Sequence, residues 1–168
     1  MRNKLLLLFA AYVASLGAVA APVLAASPTP VPTASPTPVP KAGAGQVRIN
    51  ELLPNPIGTD TGNEWVEVAN VSVVSVDVGG LVIARVSGST IGTVPSGTIV
   101  APGAVYLLSA LSGSIVNSGD TLVLKSGSTE LDRITYDASG EEGWSWARMS
   151  ATEGEWTSLP SPGAPNPA

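Results

Sequence analysis

The sequence predicts an all-β domain, an antiparallel sandwich or barrel. A short targeting segment and a proline-rich stalk precede it. Three observations carry this prediction. From Gln46 to Asn166 short apolar runs rich in valine, isoleucine and threonine alternate with Gly, Pro, Ser, Asn and Asp clusters. No window in that region sustains a 3.6-residue apolar period, so helices are not expected. The spacing of the clusters is that of turns between short strands. About 120 residues is enough for one core of this kind.

Each element follows from its own residues. Met1 to Lys4 is a short basic start, and an uncharged apolar run follows from Leu5 to Ala21. Val23-Leu24-Ala25 then offers small residues at the positions signal peptidase reads, which predicts a secretory signal over residues 1–25. Read instead from Leu5 to Ala26, the stretch is 22 residues long. That matches the roughly 20 residues of a membrane span, so an uncleaved signal anchor, a tether through residues 5–26, is the other reading. Arg2 and Lys4 would keep its N-terminus cytoplasmic. Either reading exports the rest of the chain, to the medium or to the outer face of the membrane.

Residues 26–45 read as a linker. Ser27 to Pro40 is SPTPVPTASPTPVP, one eight-residue unit and most of a second. The prolines fix φ and remove backbone donors, so a polyproline-like stalk is expected, about 40 Å long at ~3.1 Å per residue. Its serines and threonines are candidate O-glycosylation sites. Lys41 to Gly45, KAGAG, reads as a flexible joint. The domain then spans residues 46–166. Strands are expected at Val47–Leu53, Glu64–Asn70, Leu81–Val86, Thr98–Val100, Ala104–Ser109, Thr121–Lys125, Glu130–Tyr136 and Ser145–Met149.

Composition excludes several chemistries. The 168 residues contain no cysteine and no histidine. That removes disulfides, thiolate metal sites, cysteine nucleophiles, Ser-His-Asp triads and imidazole bases. Ser109, Ser112 and Ser114 therefore have no base beside them. From Gln46 onward five bases face thirteen acids, a net charge of -8. Phosphate backbones are held by Lys and Arg, so direct nucleic-acid binding is not expected. Asn70-Val71-Ser72 matches a glycosylation sequon, a triplet common by chance, and no role is assigned to it.

Six segments stand in a recognisable order. They are INE within VRINELLPNP (Val47–Pro56), EWVE within NEWVEVAN (Asn63–Asn70), VDVGGLVI (Val76–Ile83), PSGTIVAPGAVYLL (Pro95–Leu108), GDTLVL within Asn117–Tyr136, and GWSWARM (Gly143–Met149) with a closing PGAPN (Pro162–Asn166). Together they resemble the lamin tail domain in its bacterial exported form, over nearly all of Val47–Asn166. The resemblance implies an immunoglobulin-like β-sandwich. In nuclear lamins this domain serves interaction rather than catalysis. In bacteria such modules accompany exported nucleases and hydrolases, or stand on secreted proteins of undefined role. No segment here offers an enzyme domain, so that association is not carried over. One departure is Leu81, where the family usually has tryptophan.

Several side chains are candidates for function. Alternation from Val47 and Ile49 turns Glu51 inward, and a buried carboxylate needs a partner. The resemblance makes Arg148, at the position matching the family's late arginine, the expected partner in a structural ion pair, with Arg133 as the alternative. Asn55, Asp60, Glu64, Glu67 and Asp77 crowd the early loops with oxygen ligands of the kind calcium takes. Their spacing fits no known calcium loop, and solvated turns and an acidic surface patch are the simpler account. Trp144, Trp146 and Trp156 lie among Glu141, Glu142, Glu153 and Glu155. They could stack on sugar rings or a protein partner, or close the sandwich core. The expected function is an exported, non-catalytic binding module. Its partner would be an envelope protein or polysaccharide, and it would use no cofactor unless calcium. A carboxylate- or metal-dependent hydrolase and a purely structural envelope protein are the alternatives.

Overall fold

The computed structural model describes residues 37–138 and 141–166. The secretory signal and most of the stalk lie outside the described residues. Eleven strands are present among those described: β1 (Val47–Leu53), β2 (Trp65–Asn70), β3 (Val76–Asp77), β4 (Val82–Arg85), β5 (Thr90–Thr93), β6 (Ile99–Val100), β7 (Val105–Leu108), β8 (Gly119–Ser126), β9 (Thr129–Asp137), β10 (Ser145–Arg148) and β11 (Gly154–Thr157). They form a five-stranded sheet in the order β11-β10-β1-β2-β7 and a four-stranded sheet in the order β5-β4-β8-β9. A short pair, β3-β6, stands beside them. All the strand pairs are antiparallel. This is the expected all-β sandwich of the immunoglobulin-like type.

The two large sheets face each other through one apolar cluster. The five-stranded sheet contributes Val47, Ile49, Leu52, Val66, Val68, Leu108 and Trp146. Ile83, Ile91, Leu122, Leu124, Ile134 and Tyr136 come from the four-stranded sheet. Alternation along a strand puts every second residue on the core face, which is why valine and isoleucine recur at these spacings. Leu81 fills its slot at 3% exposure and belongs to the same cluster.

Three strands were not expected. β3, which pairs with the expected β6, has two residues, too short to show a period. β5 carries Gly92, and β11 begins at Gly154, a residue type that weakens a strand reading. Both glycines answer to packing. A Cβ on Gly92 would lie 2.9 Å from the Leu108 side chain, and one on Gly154 would lie 2.3 Å from the Trp146 ring.

The domain also begins earlier than residue 46. Lys41 forms a parallel bridge with Asp77, and Ala42 is buried at 6% exposure. The Ala42 amide donates to Asp77 O at 3.0 Å, and the Asp77 amide donates to Pro40 O at 2.8 Å. The expected flexible joint at Lys41–Gly45 is therefore corrected: two backbone bonds and a buried alanine hold its start against β3.

Candidate functional site

The chemistry-bearing residues of β1 and β2 meet on the face of the five-stranded sheet away from the core. A β-bulge brings them there. The β1–β2 register runs Ile49↔Val68, then Glu51↔Glu67 and Leu52↔Val66, so Asn50 is the extra residue. A bulge shifts the alternation by one position. Ile49 and Leu52 both face the core, and Glu51 faces the other side with its cross-strand partner Glu67.

Both carboxylates are fully buried, at 0% exposure. The C-terminal segment buries and satisfies them. Glu51 Oε1 accepts from the Ser145 hydroxyl at 2.5 Å, and Glu51 Oε2 accepts from the Ser161 hydroxyl at 2.6 Å. The Ser161 amide donates to both oxygens, at 3.1 and 3.2 Å. Glu67 Oε1 accepts from the Gly163 amide, and Glu67 Oε2 accepts from Asn50 Nδ2 at 3.4 Å. Asn50 Nδ2 also donates to Asn166 Oδ1 at 2.7 Å. Asn166 Nδ2 returns bonds to Asn50 O at 3.1 Å and Arg148 O at 2.9 Å. Residues 161–166 thus lie along the sheet as a strap, fastened by the side chains of the INE, EWVE and PGAPN segments. Burial is the main cause that pushes the Glu67 carboxyl up to about 7; the Gly163 and Asn50 donors oppose it and the Glu51 charge adds to it.

The expected Glu51–Arg148 ion pair is corrected. Glu51 is held by neutral donors. Arg148 Nη2 pairs with Asp132 Oδ2 at 3.0 Å and donates to Arg133 O at 3.1 Å, while Nη1 donates to Ala151 O at 2.7 Å. The bulge is the physical reason, since it turns Glu51 to the face opposite β9. Asp132 Oδ2 also accepts the Ile49 amide at 2.7 Å, so one carboxylate joins β9 to β1 and β10. Arg133, the alternative partner, pairs with Glu130 at 2.8 Å on the surface.

The early acids do not form a surface patch or converge on one point. Glu64 is buried at 3% exposure, and its Oε1 accepts the Ile115 amide at 2.8 Å. Burial raises its carboxyl above the ordinary value, with the Ile115 bond opposing. Asp60 Oδ2 accepts from Asn117 Nδ2 at 2.9 Å, and Asn55 Oδ1 is 3.4 Å from the same nitrogen. Asp77 pairs with Lys41 at 2.9 Å, which holds its carboxyl below the usual range. Among the described residues no group of three or more acids is placed to hold a metal ion.

The tryptophans divide between the core and the surface. Trp146 lies in the core at 6% exposure. Trp156 packs edge-on against Tyr136, with ring centroids 6.3 Å apart, and its Nε1 donates to Asp137 Oδ1 at 2.9 Å. Trp144 precedes β10 and is exposed. Trp146 and Trp156 are cross-strand partners on β10 and β11, and Trp156 packs against the core from its edge. Asn70 of the sequon is buried at 1% exposure, and its Nδ2 donates inward to Val74 O and Val100 O.

The lamin tail domain family model matches residues 40–152. The chain belongs to the lamin tail domain family. No curated protein and no solved structure gives a significant match. The matched segment starts at Pro40, where the backbone first bonds to the domain, and stops before the strap. The lamin tail domain here is an immunoglobulin-like interaction module. Its Glu51 and Glu67 hold the chain's own backbone.

Sequence reasoning missed the residues that complete the strap: Asn50, Ser145, Ser161, Gly163 and Asn166, and also Asp132. Asn50, Gly163 and Asn166 stand in the INE and PGAPN segments that carried the resemblance, which was their one signal; Ser145 and Ser161 lie outside both. Nothing in their spacing says that segments more than 100 residues apart meet.

Proposed function

We propose that this lamin tail domain is an exported, non-catalytic module that contacts an envelope protein or polysaccharide at the cell surface. The observation that carries the non-catalytic part is the employment of the motif carboxylates. Glu51, Glu64 and Glu67 each accept a backbone amide, at Ser161, Ile115 and Gly163. A carboxylate fixed in this way is a fold element rather than an acid or base presented to substrate. Export is supported by the leader-like sequence of residues 1–25 and the Pro-Thr stalk after it.

The test is cell fractionation of the full chain, followed by pull-down from envelope extract with and without calcium. Recovery at the envelope or in the medium, with a retained protein or glycan partner, is the expected result. Retention in the cytosol overturns export. Hydrolysis of envelope polymers by the purified chain overturns the non-catalytic reading.

A further inference from the structure

One end of the five-stranded sheet carries a cleft of about 370 Å³, where β1 and β7 start and β2 and β10 end. Small-ligand sites begin at roughly this size. Its walls include Val71, Val105, Met149 and Pro165, and two guanidinium groups, Arg48 and Arg148, line it.

The polar groups of the cleft are mostly occupied. Asn50, Asn70 and Asn166 give their amide nitrogens to partners within the domain. Arg148 is buried at 5% exposure and has Asp132 as counter-charge, yet its Nε has no partner. The Arg48 Nε is likewise buried without a partner. No acid among the described residues pairs with Arg48, and its side chain makes one hydrogen bond among them, a long one of 3.5 Å from Nη2 to Asn50 Oδ1. A buried, unsatisfied donor on a cation is costly, and an incoming anion relieves it. Like charges so placed repel, and the Arg148 pKa is lowered first by burial and further by the Arg48 charge, with Asp132 opposing. All this occurs in a chain whose residues from Gln46 onward carry a net charge of -8.

We infer that the Arg48–Arg148 cleft is a binding site for an oxyanion, a carboxylate or phosphate group of a ligand, with Arg48 as the principal contact. Guanidinium offers paired donors in a planar fork that matches either group. The apolar walls would take the part of the ligand that bears the anion. This inference goes beyond the interaction module proposed above and does not depend on export.

The test titrates the full chain with sodium phosphate and, separately, with sodium glucuronate, in low-salt buffer with chloride holding ionic strength constant. Calorimetry and melting temperature are the readouts. Saturable binding of at least one oxyanion, absent with chloride alone, is expected; the stronger of the two tells phosphate from carboxylate. Arg48→Gln is expected to weaken binding roughly tenfold or more, and Arg48→Lys less, with the fold checked by circular dichroism. No saturable binding, or equal binding by Arg48→Gln, overturns the inference. Fractionation to the cytosol would overturn export and leave this site standing.

Discussion

Glu51 and Glu67 face each other across β1 and β2, and each accepts a backbone amide from the same C-terminal strap, at Ser161 and at Gly163. Two buried carboxylates side by side are unfavourable unless donors surround them. The strap supplies those donors. Glu51→Ala should therefore cost about 3 kcal/mol, because it strands the Ser145 hydroxyl and the Ser161 amide and leaves a cavity. Glu51→Gln, which keeps the shape and one acceptor, should cost less. Urea unfolding measures both; a Glu51→Ala midpoint equal to wild type would refute the strap's role.

Removal of the strap itself is a stronger perturbation. A chain ended after Leu159 loses the Ser161, Gly163 and Asn166 partners of Glu51, Glu67 and Asn50 together. It should melt well below the chain that retains residues 160–168. The family match ends at residue 152, so this prediction concerns residues outside the matched segment. Differential scanning calorimetry decides it, and equal melting temperatures would show that the strap adds nothing.

Glu67 gives the domain a pH dependence with a definite sign. Its folded carboxyl titrates at about 7, above its ordinary 4.5. The protonated form is thus favoured on folding, so this contribution is full below about 4.5 and is lost as pH rises through 7. The raised Glu64 carboxyl acts in the same direction. Asp77 and Glu130 are lowered, so both are already ionised between pH 5 and 8 and add no slope there. Stability should fall by on the order of 2 kcal/mol from pH 5 to pH 8. Glu67→Gln keeps an acceptor for Gly163 and should flatten most of that slope; an unchanged slope would remove Glu67 as its origin.

Much of the fold was legible in the sequence, and most of the site was not. The eight expected strands are present because β alternation and Gly/Pro turns are local signals. The partner of Glu51 was misplaced for a local reason with a distant consequence. One bulge at Asn50 reversed the face of Glu51, and alternation counted from Val47 cannot register it. Asp132 escaped notice because its neighbours in space, Ile49 and Arg148, come from two other strands. Glu64 and Glu67 read as surface acids because charge in a sequence carries no burial. The segments that cover them lie 51 and 96 residues away along the chain.

The corrected pairing can be tested directly by double-mutant cycles. Arg148 Nη2 meets Asp132 Oδ2 at 3.0 Å, with side chains 4% and 15% exposed. A pair this sheltered is little screened, and removal of one member leaves the other charge uncompensated. Arg148→Met and Asp132→Asn should therefore couple by about 1 kcal/mol or more. Part of that coupling passes through Ile49, whose amide shares Asp132 Oδ2. Glu51→Gln and Arg148→Met should instead add to within about 0.5 kcal/mol, since the two side chains lie on opposite sides of the sheet and share no partner. Equilibrium unfolding of the wild type, the three single variants and the two double variants yields both cycles. Coupling of Glu51 to Arg148 in place of Asp132 would restore the ion pair that the bulge excludes.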